Sequence, residues 1–280
     1  MDRPSKSNTL SVSQWRAQSK KGFRPERAAR AVRSGIESRS RQPEHCPDQM
    51  QQTAVKPATD SRRARSEITK NALMRAAEKL VAEGGMENLS IREIVAVAKQ
   101  KNESALQYHF KNLTGLLDAI HSERSEQIQT RRADHLADLL QNAKDPSLRE
   151  LCLLMIEPTF QLARADVEFR RYVKAFGHEL AVSYSSPLDI VATKGGGGAS
   201  GQETATLLRK VLPHLDEQDY RRRMEAAIML CSASMFRQAR QKNAFRGQQS
   251  DLFLHNLVDA LVGLLSAPVS AETQDLKKSK

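Results

Sequence analysis

The side chains with most to offer chemically lie between residues 90 and 111. Ser104, Gln107 and Tyr108 share one short segment, Ser104-Ala105-Leu106-Gln107-Tyr108-His109-Phe110, and Arg92 stands a dozen residues before it. A carboxamide and a guanidinium can each make paired hydrogen bonds to a base edge, while hydroxyls and phenols reach phosphate oxygens. Catalytic arrangements are missing by comparison. The seven histidines form no H-x-x-x-H or H-E-x-x-H pair, no G-x-S-x-G elbow occurs, and the acids are scattered along polar helix faces. Cys46, Cys152 and Cys231 show no C-x-x-C spacing and no histidine at ligand spacing. Neither a disulfide framework, nor a metal site, nor a cofactor is therefore expected, and no catalytic residue is assigned.

Presenting Ser104, Gln107 and Tyr108 outward needs supporting helices, and the periodicity supplies them. Ile68, Ala72, Leu73, Ala76, Leu80 and Val81 recur at helical spacing, which predicts a helix from about Glu67 to Glu83 with Ser66 as cap and Gly84-Gly85 as stop. Ser90 and Glu93 predict a capping box, hydroxyl to the Glu93 amide and carboxylate back to the Ser90 amide, opening a short helix through Ile91, Ile94, Val95 and Ala98. Polar residues Lys99 to Glu103 make a turn, Ser104 to Phe110 a third helix, and Asn112 caps a fourth from Leu113 to about Thr130. Three helices with a tight polar turn before the last fit a helix-turn-helix DNA reader, although a small helical subdomain with a solvated turn has the same pattern. No alternating strand pattern with turn signals occurs, so the fold class is all-α.

At these residues the chain resembles the tetracycline-repressor (TetR/AcrR) family of bacterial transcriptional regulators. The likeness covers about Glu67 to Ile120, in ITKNALMRAAEKLVAEG (68–84), LSIREIVAVA (89–98) and LQYHFKNLTGLL (106–117). It implies that Arg92 reaches the major groove, that Ser90 contacts phosphate at its helix N-terminus, and that Gln107, Tyr108 and His109 face groove and backbone. Asn102 and Ser104 join them at the front of the third helix. Two departures stand out. Lys99 replaces the usual turn glycine, and 100–104 is one residue longer than the commonest pattern, which leaves the register of Lys101, Asn102 and Glu103 open. Leu113 also stands where many members have a phosphate-binding lysine, leaving Lys111 for that part.

Charge divides the chain near residue 66. Residues 1–65 hold fifteen Lys/Arg and six Asp/Glu, and the remainder 29 and 27, so nine of the eleven formal positive charges belong to the first quarter. Residues 67–130, the predicted reader, hold eight Lys/Arg and nine acids, which is unexpected for a surface that must neutralise phosphates. Arg62, Arg63 and Arg65 directly precede it and can act as a DNA-binding arm. The basic extension 1–65 has few large aliphatics and is predicted disordered; for residues 1–55 a solvated segment without a role, or translation from an early start codon, is the favoured reading. There is no secretory signal and no apolar run of about 18 residues, so the expectation is a soluble, cytoplasmic protein away from membranes.

Residues 131–266 read as longer helices, at about 132–142, 147–165, 167–183, 204–212, 217–242 and 250–265, followed by a disordered tail 267–280. Ser185-Ser186-Pro187 and Gly195 to Gly198 mark a flexible connection, since the glycines lack the Lys-Ser/Thr of a phosphate loop. The last helix is apolar beyond one stripe and the one before it is rich in small residues. Paired with a second copy they would make a four-helix homodimer interface, with Ala227, Met235, Leu254, Leu257, Val258 and Leu261 as candidate contacts; a fully internal bundle is the alternative. The resemblance implies the same dimer, a palindromic double-stranded operator, and a small-molecule effector among the middle helices. Phe160, Arg164, Phe169, Tyr172, Phe176 and His178 are its candidate contacts. The expected function is a sequence-specific regulator, a repressor released by its effector. The alternative is a nonspecific nucleoid-type or RNA-binding protein acting through its basic tail, for which deleting residues 1–60 would abolish binding and Arg92→Ala would not matter.

Overall fold

The computed structural model describes residues 58–142, 145–193 and 197–279. Most of the basic extension, Cys46, and two glycines of the 195–198 run lie outside them. Twelve α-helices and no strand occur among the described residues: α1 (Ala58–Gly84), α2 (Ile91–Val97), α3 (Ser104–Phe110), α4 (Leu113–Asn142), α5 (Leu148–Ala165), α6 (Val167–Phe176), α7 (Glu179–Val182), α8 (Pro187–Thr193), α9 (Gly198–Val211), α10 (Glu217–Ala239), α11 (Gly247–Ser266) and α12 (Ala271–Lys278). The fold is all-α. No single described helix is long and apolar enough to cross a membrane.

The helix-turn-helix region forms as its caps dictate. Ser90 accepts the Glu93 amide at 3.2 Å, closing the N-terminus of α2. The box is half the predicted one, because the Glu93 carboxylate accepts a hydrogen bond from the Ser90 hydroxyl at 2.7 Å instead of from the Ser90 amide. At the other end Lys99 adopts φ 55°, its amide bonds the Ala96 carbonyl at 3.0 Å and the Gln100 amide bonds the Val95 carbonyl at 2.9 Å. This is a Schellman closure with lysine in the left-handed position usually given to glycine. Lysine at this position thus keeps the turn geometry at a cost in backbone strain. Lys99→Gly is expected to raise the unfolding free energy by roughly 0.5 to 1 kcal/mol, visible as a higher urea midpoint; a lower midpoint would contradict the strain.

Beneath the turn, Leu73, Met74, Ala77 and Val81 of α1, Ile94 and Val95 of α2, Leu106 and Phe110 of α3, and Leu116, Leu117 and Ile120 of α4 are buried. Asn112 caps α4, its carbonyl oxygen Oδ1 accepting the Gly115 amide at 2.9 Å. A second core runs from Leu136 through α5, α6, α9 and α10 to Leu265. Helix α10 packs on α6, α7, α8 and α11, and α4 packs on α3, α5 and α9.

Several predicted boundaries move. Helix α1 begins at Ala58, so residues 58–65 are helical and Ser66 is an interior residue rather than a cap; Ile68, assigned to the inner face, is 68% exposed. The predicted helices 113–130 and 132–142 are one, because Thr130-Arg131-Arg132 contains no breaker and α4 continues through it. The predicted helix 167–183 ends at Phe176 and restarts at Glu179. The predicted connection after Ser186 contains α8, and α9 begins six residues earlier than the predicted Thr204. The predicted disordered tail 267–280 carries α12, capped by Ser270, with Lys277 paired to Asp216 and Asp219 and with Arg223 donating to the Pro268 carbonyl at 3.2 Å.

Candidate nucleic-acid interface and ligand cavity

Ser90, Arg92, Asn102, Ser104, Gln107 and Lys111 are all exposed, and Tyr108 is 81% exposed. Leu106 and Phe110 hold α3 from its inner side, so Gln107 and Tyr108 project from the opposite face. Ser104 and Asn102 are hydrogen-bonded to each other at the front of α3. His109 is the partial exception. It is half-buried, its ring lies edge-on to Tyr108 at 5.0 Å, and burial lowers its pKa against the pull of Glu67, favouring the neutral imidazole. Lys111 terminates α3 with φ 67° and its side chain in solvent. Arg62, Arg63 and Arg65 are exposed in the first turns of α1.

A buried ionic joint connects this region to the rest of the chain. Glu78 of α1 is fully buried and Arg124 of α4 is 2% exposed, and Nε and Nη2 of Arg124 grip the two carboxylate oxygens at 2.9 and 3.0 Å. Arg75 adds bonds to both oxygens at 3.0 and 2.9 Å and reaches Glu123 at 2.7 Å. Burial pushes the Glu78 carboxyl up, to about 7, against the partial pull of Arg75. With Arg124 clasping both oxygens, this geometry holds the ionised form. The same Arg124 guanidinium lies 5.5 Å from the Phe169 ring centre and 6.0 Å from that of Tyr172 on α6.

Tyr172 forms part of the wall of a cavity of about 510 Å³ lined by residues of α4 to α10. Of the six predicted ligand contacts, Tyr172 and Phe176 line it and the other four do not. Phe160 is core, packed at 5.5 Å on Phe245. Arg164 lies over Phe160 and ties α5 to the segment before α11 through the Phe245 carbonyl at 3.0 Å, with Asp251 as ion-pair partner. Phe169 is fully buried beneath Arg124, and the His178 ring lies tilted against Phe236 at 4.5 Å with a buried Nδ1 that has no partner among the described residues.

The cavity's polar groups escape sequence reasoning because they come from distant segments. At one end the Nδ1 of His121 meets the Tyr172 hydroxyl at 3.3 Å, and its Nε2 lies 3.5 Å from Glu179. Burial raises the Tyr172 pKa, so it stays a neutral phenol. Toward the other end Arg132 reaches in from α4, and its pKa is lowered by burial. Pro158, inside α5, has no N–H to give the Leu154 carbonyl four residues back, and the Nε of Arg132 donates to that oxygen at 3.3 Å. Nη1 of Arg132 donates to Gly197 at 3.2 Å. Gly197 and Gly198 have φ 73° and 69°, and a Cβ on Gly198 would collide with the Gln129 carboxamide, so the glycines let α9 approach α4 closely here. Cys231 also lines the cavity, with its thiol pKa raised by burial; Cys152 is buried in α5, its thiol pushed up to about 12. Neither is a nucleophile at neutral pH. No cluster of metal-binding side chains occurs among the described residues.

The predicted dimer contacts do not face outward. Ala227, Met235, Leu254, Leu257, Val258 and Leu261 are all buried in the chain's own second core. The regular apolar stripe of α11 is the one its own bundle claims; its exposed face carries Leu252, Ala260 and Gly263, and Met229 and Ala233 are exposed on α10.

No family model matches the chain, and no curated protein matches it. Among solved structures, Salmonella enterica GusR is similar over 71% of this chain and 96% of its own, at 18% identity and a TM-score of 0.44. The candidate transcriptional regulator SCO7518 from Streptomyces coelicolor A3(2) is similar over 71% and 99%, at 15% identity and a TM-score of 0.37.

Proposed function

We propose that this chain is a sequence-specific, DNA-binding transcriptional regulator of the tetracycline-repressor kind, a repressor released by a small molecule. The observation that carries the reading is the outward presentation of Gln107 and Tyr108 on a short helix whose inner side is fully anchored, with exposed Arg92 on the preceding helix. Such a face fits the major groove, where amide and guanidinium groups read base edges. Ser90 and Lys111 serve as phosphate contacts, with Arg62, Arg63 and Arg65 supplying the charge that residues 67–130 lack. Function here is binding, and no catalytic step is assigned.

One such reader covers one half-site, so the reading includes a homodimer on a palindrome. Its interface is assigned to the outer faces of α10 and α11, where Ala233, Ala260 and Gly263 permit close helix approach beside Met229 and Leu252. An effector in the 510 Å³ cavity touches Tyr172, which lies against the Arg124 guanidinium that holds Glu78 of α1. A ligand that favours one placement of Tyr172 therefore biases α1 and, with it, the half-site spacing, by as much as its affinities for the two states differ. Footprinting on the intergenic DNA beside the coding sequence, at physiological salt, should show a protected palindrome. Equal affinity for that DNA and for random duplex would remove the specific-regulator reading.

A second reading, nonspecific nucleic-acid binding, is favoured by one observation, the nine-charge surplus of residues 1–65. Under it, a chain starting at residue 58 loses all binding; under the first it keeps its sequence preference.

A further inference from the structure

From the cavity's polar groups we infer that its ligand is an elongated amphipathic carboxylic acid whose carboxylate is held by Arg132. This rests on the cavity being the effector site proposed above and adds the chemical class of the effector. Arg132 is a cation in the cavity wall whose bonds, among the described residues, go to the carbonyls of Leu154 and Gly197 and to no carboxylate. Those bonds engage Nε and Nη1 and leave both Nη2 protons for a ligand. The two carbonyls fix the guanidinium plane, and one is available only because Pro158 cannot donate to it. A guanidinium so held is set for paired bonds to a planar oxyanion. Burial already lowers its pKa, so an arriving anion restores favourable surroundings to its charge.

The remaining walls define the rest of the molecule. His121 and Arg132 lie eleven residues apart on the face of α4 that lines the cavity, about 16 Å along a helix. The rest of the lining is predominantly apolar, with Ile128, Met155, Leu208 and Met224 among it, which suits an apolar body. The far end offers the His121–Tyr172 pair to a hydroxyl or carbonyl. Glu179, the carboxylate in the lining, faces His121 rather than Arg132. One guanidinium balances one carboxylate, whereas a phosphate monoester, with a charge of roughly −1.5 to −2 at neutral pH, would leave charge uncompensated among apolar walls.

The test is a thermal-shift and calorimetric screen of the full-length protein without DNA, so that its outcome is independent of operator binding. The probes are straight-chain and aryl-substituted monocarboxylic acids of six to sixteen carbons, each beside its primary amide and its alkyl phosphate. Acids are expected to stabilise the protein and bind at least about tenfold more tightly than their matched amides and phosphates. Arg132→Gln should remove that preference and Arg132→Lys should keep part of it. Amides or phosphates binding as well as acids, no acid binding at all, or an acid preference that survives Arg132→Gln would each overturn the inference. The acid-against-amide comparison needs only the unaltered chain, so it decides the matter even if the Arg132 variants fold poorly.

Discussion

Arg124→Ala is expected to cost up to about 3 to 5 kcal/mol of unfolding free energy, because it removes the more buried of the two guanidiniums that hold a fully buried Glu78. Arg75 remains, but its side chain is 16% exposed and it approaches from one side. The double variant Glu78→Leu/Arg124→Met should recover most of the loss, since it removes both fully buried charges while Arg75 keeps Glu123 as its partner, and well-packed apolar side chains commonly match or exceed a buried ion pair. Urea melts of the wild type, two singles and the double complete the cycle. A double variant as unstable as Arg124→Ala would show that the site cannot repack without the ions. The same protein probes function. If Arg124 transmits the state of Tyr172 to α1, the double variant should fold, bind its operator, and respond to cavity ligands with a much smaller change in DNA affinity. An undiminished response would place the coupling elsewhere.

That joint shows what could and could not be read from residues alone. Glu78 and Arg124 look like solvent-facing charges by type, yet each sits on an inward stripe: Glu78 four residues after Met74, and Arg124 four after Ile120. A charged residue at an apolar register position was the available signal, and it needed a second such position to pair with. The ends of α2 and α3 were legible because their determinants are local: a serine cap, a polar turn, an asparagine opening the next helix. The start of α1 was not, since Ser66 resembles a cap while the helix simply continues upstream of it. The regular pattern of Leu254, Leu257, Val258 and Leu261 correctly marked a buried face but could not say whose core would bury it. The cavity was least legible of all. Its walls come from helices separated by over a hundred residues, and the anchor Arg132 owes its position to a proline on α5 and to Gly197 at the cap of α9. Only tertiary packing brings these together.

On DNA, the variants divide by what each side chain reads. Arg92→Ala and Gln107→Ala should each weaken binding to the operator by about 1 to 3 kcal/mol, roughly 5- to 150-fold, and relax the preference at one base position per half-site. Neither should alter stability by more than a few tenths of a kcal/mol, because both side chains are exposed and make no tertiary hydrogen bond among the described residues. Lys111→Ala should behave differently, weakening every duplex alike and reducing the slope of log affinity against log salt by about 1, as loss of one phosphate contact requires. Lys111 has φ 67°, so Lys111→Gly is the better control: it removes the charge and also relieves the backbone, lowering affinity while stability holds or rises. Fluorescence anisotropy on specific and scrambled duplexes across a salt series separates these outcomes. If Arg92→Ala and Gln107→Ala left the ratio of specific to nonspecific affinity unchanged while truncation before residue 58 abolished binding, the outward face of α3 would be incidental and the basic extension would be the DNA-binding element.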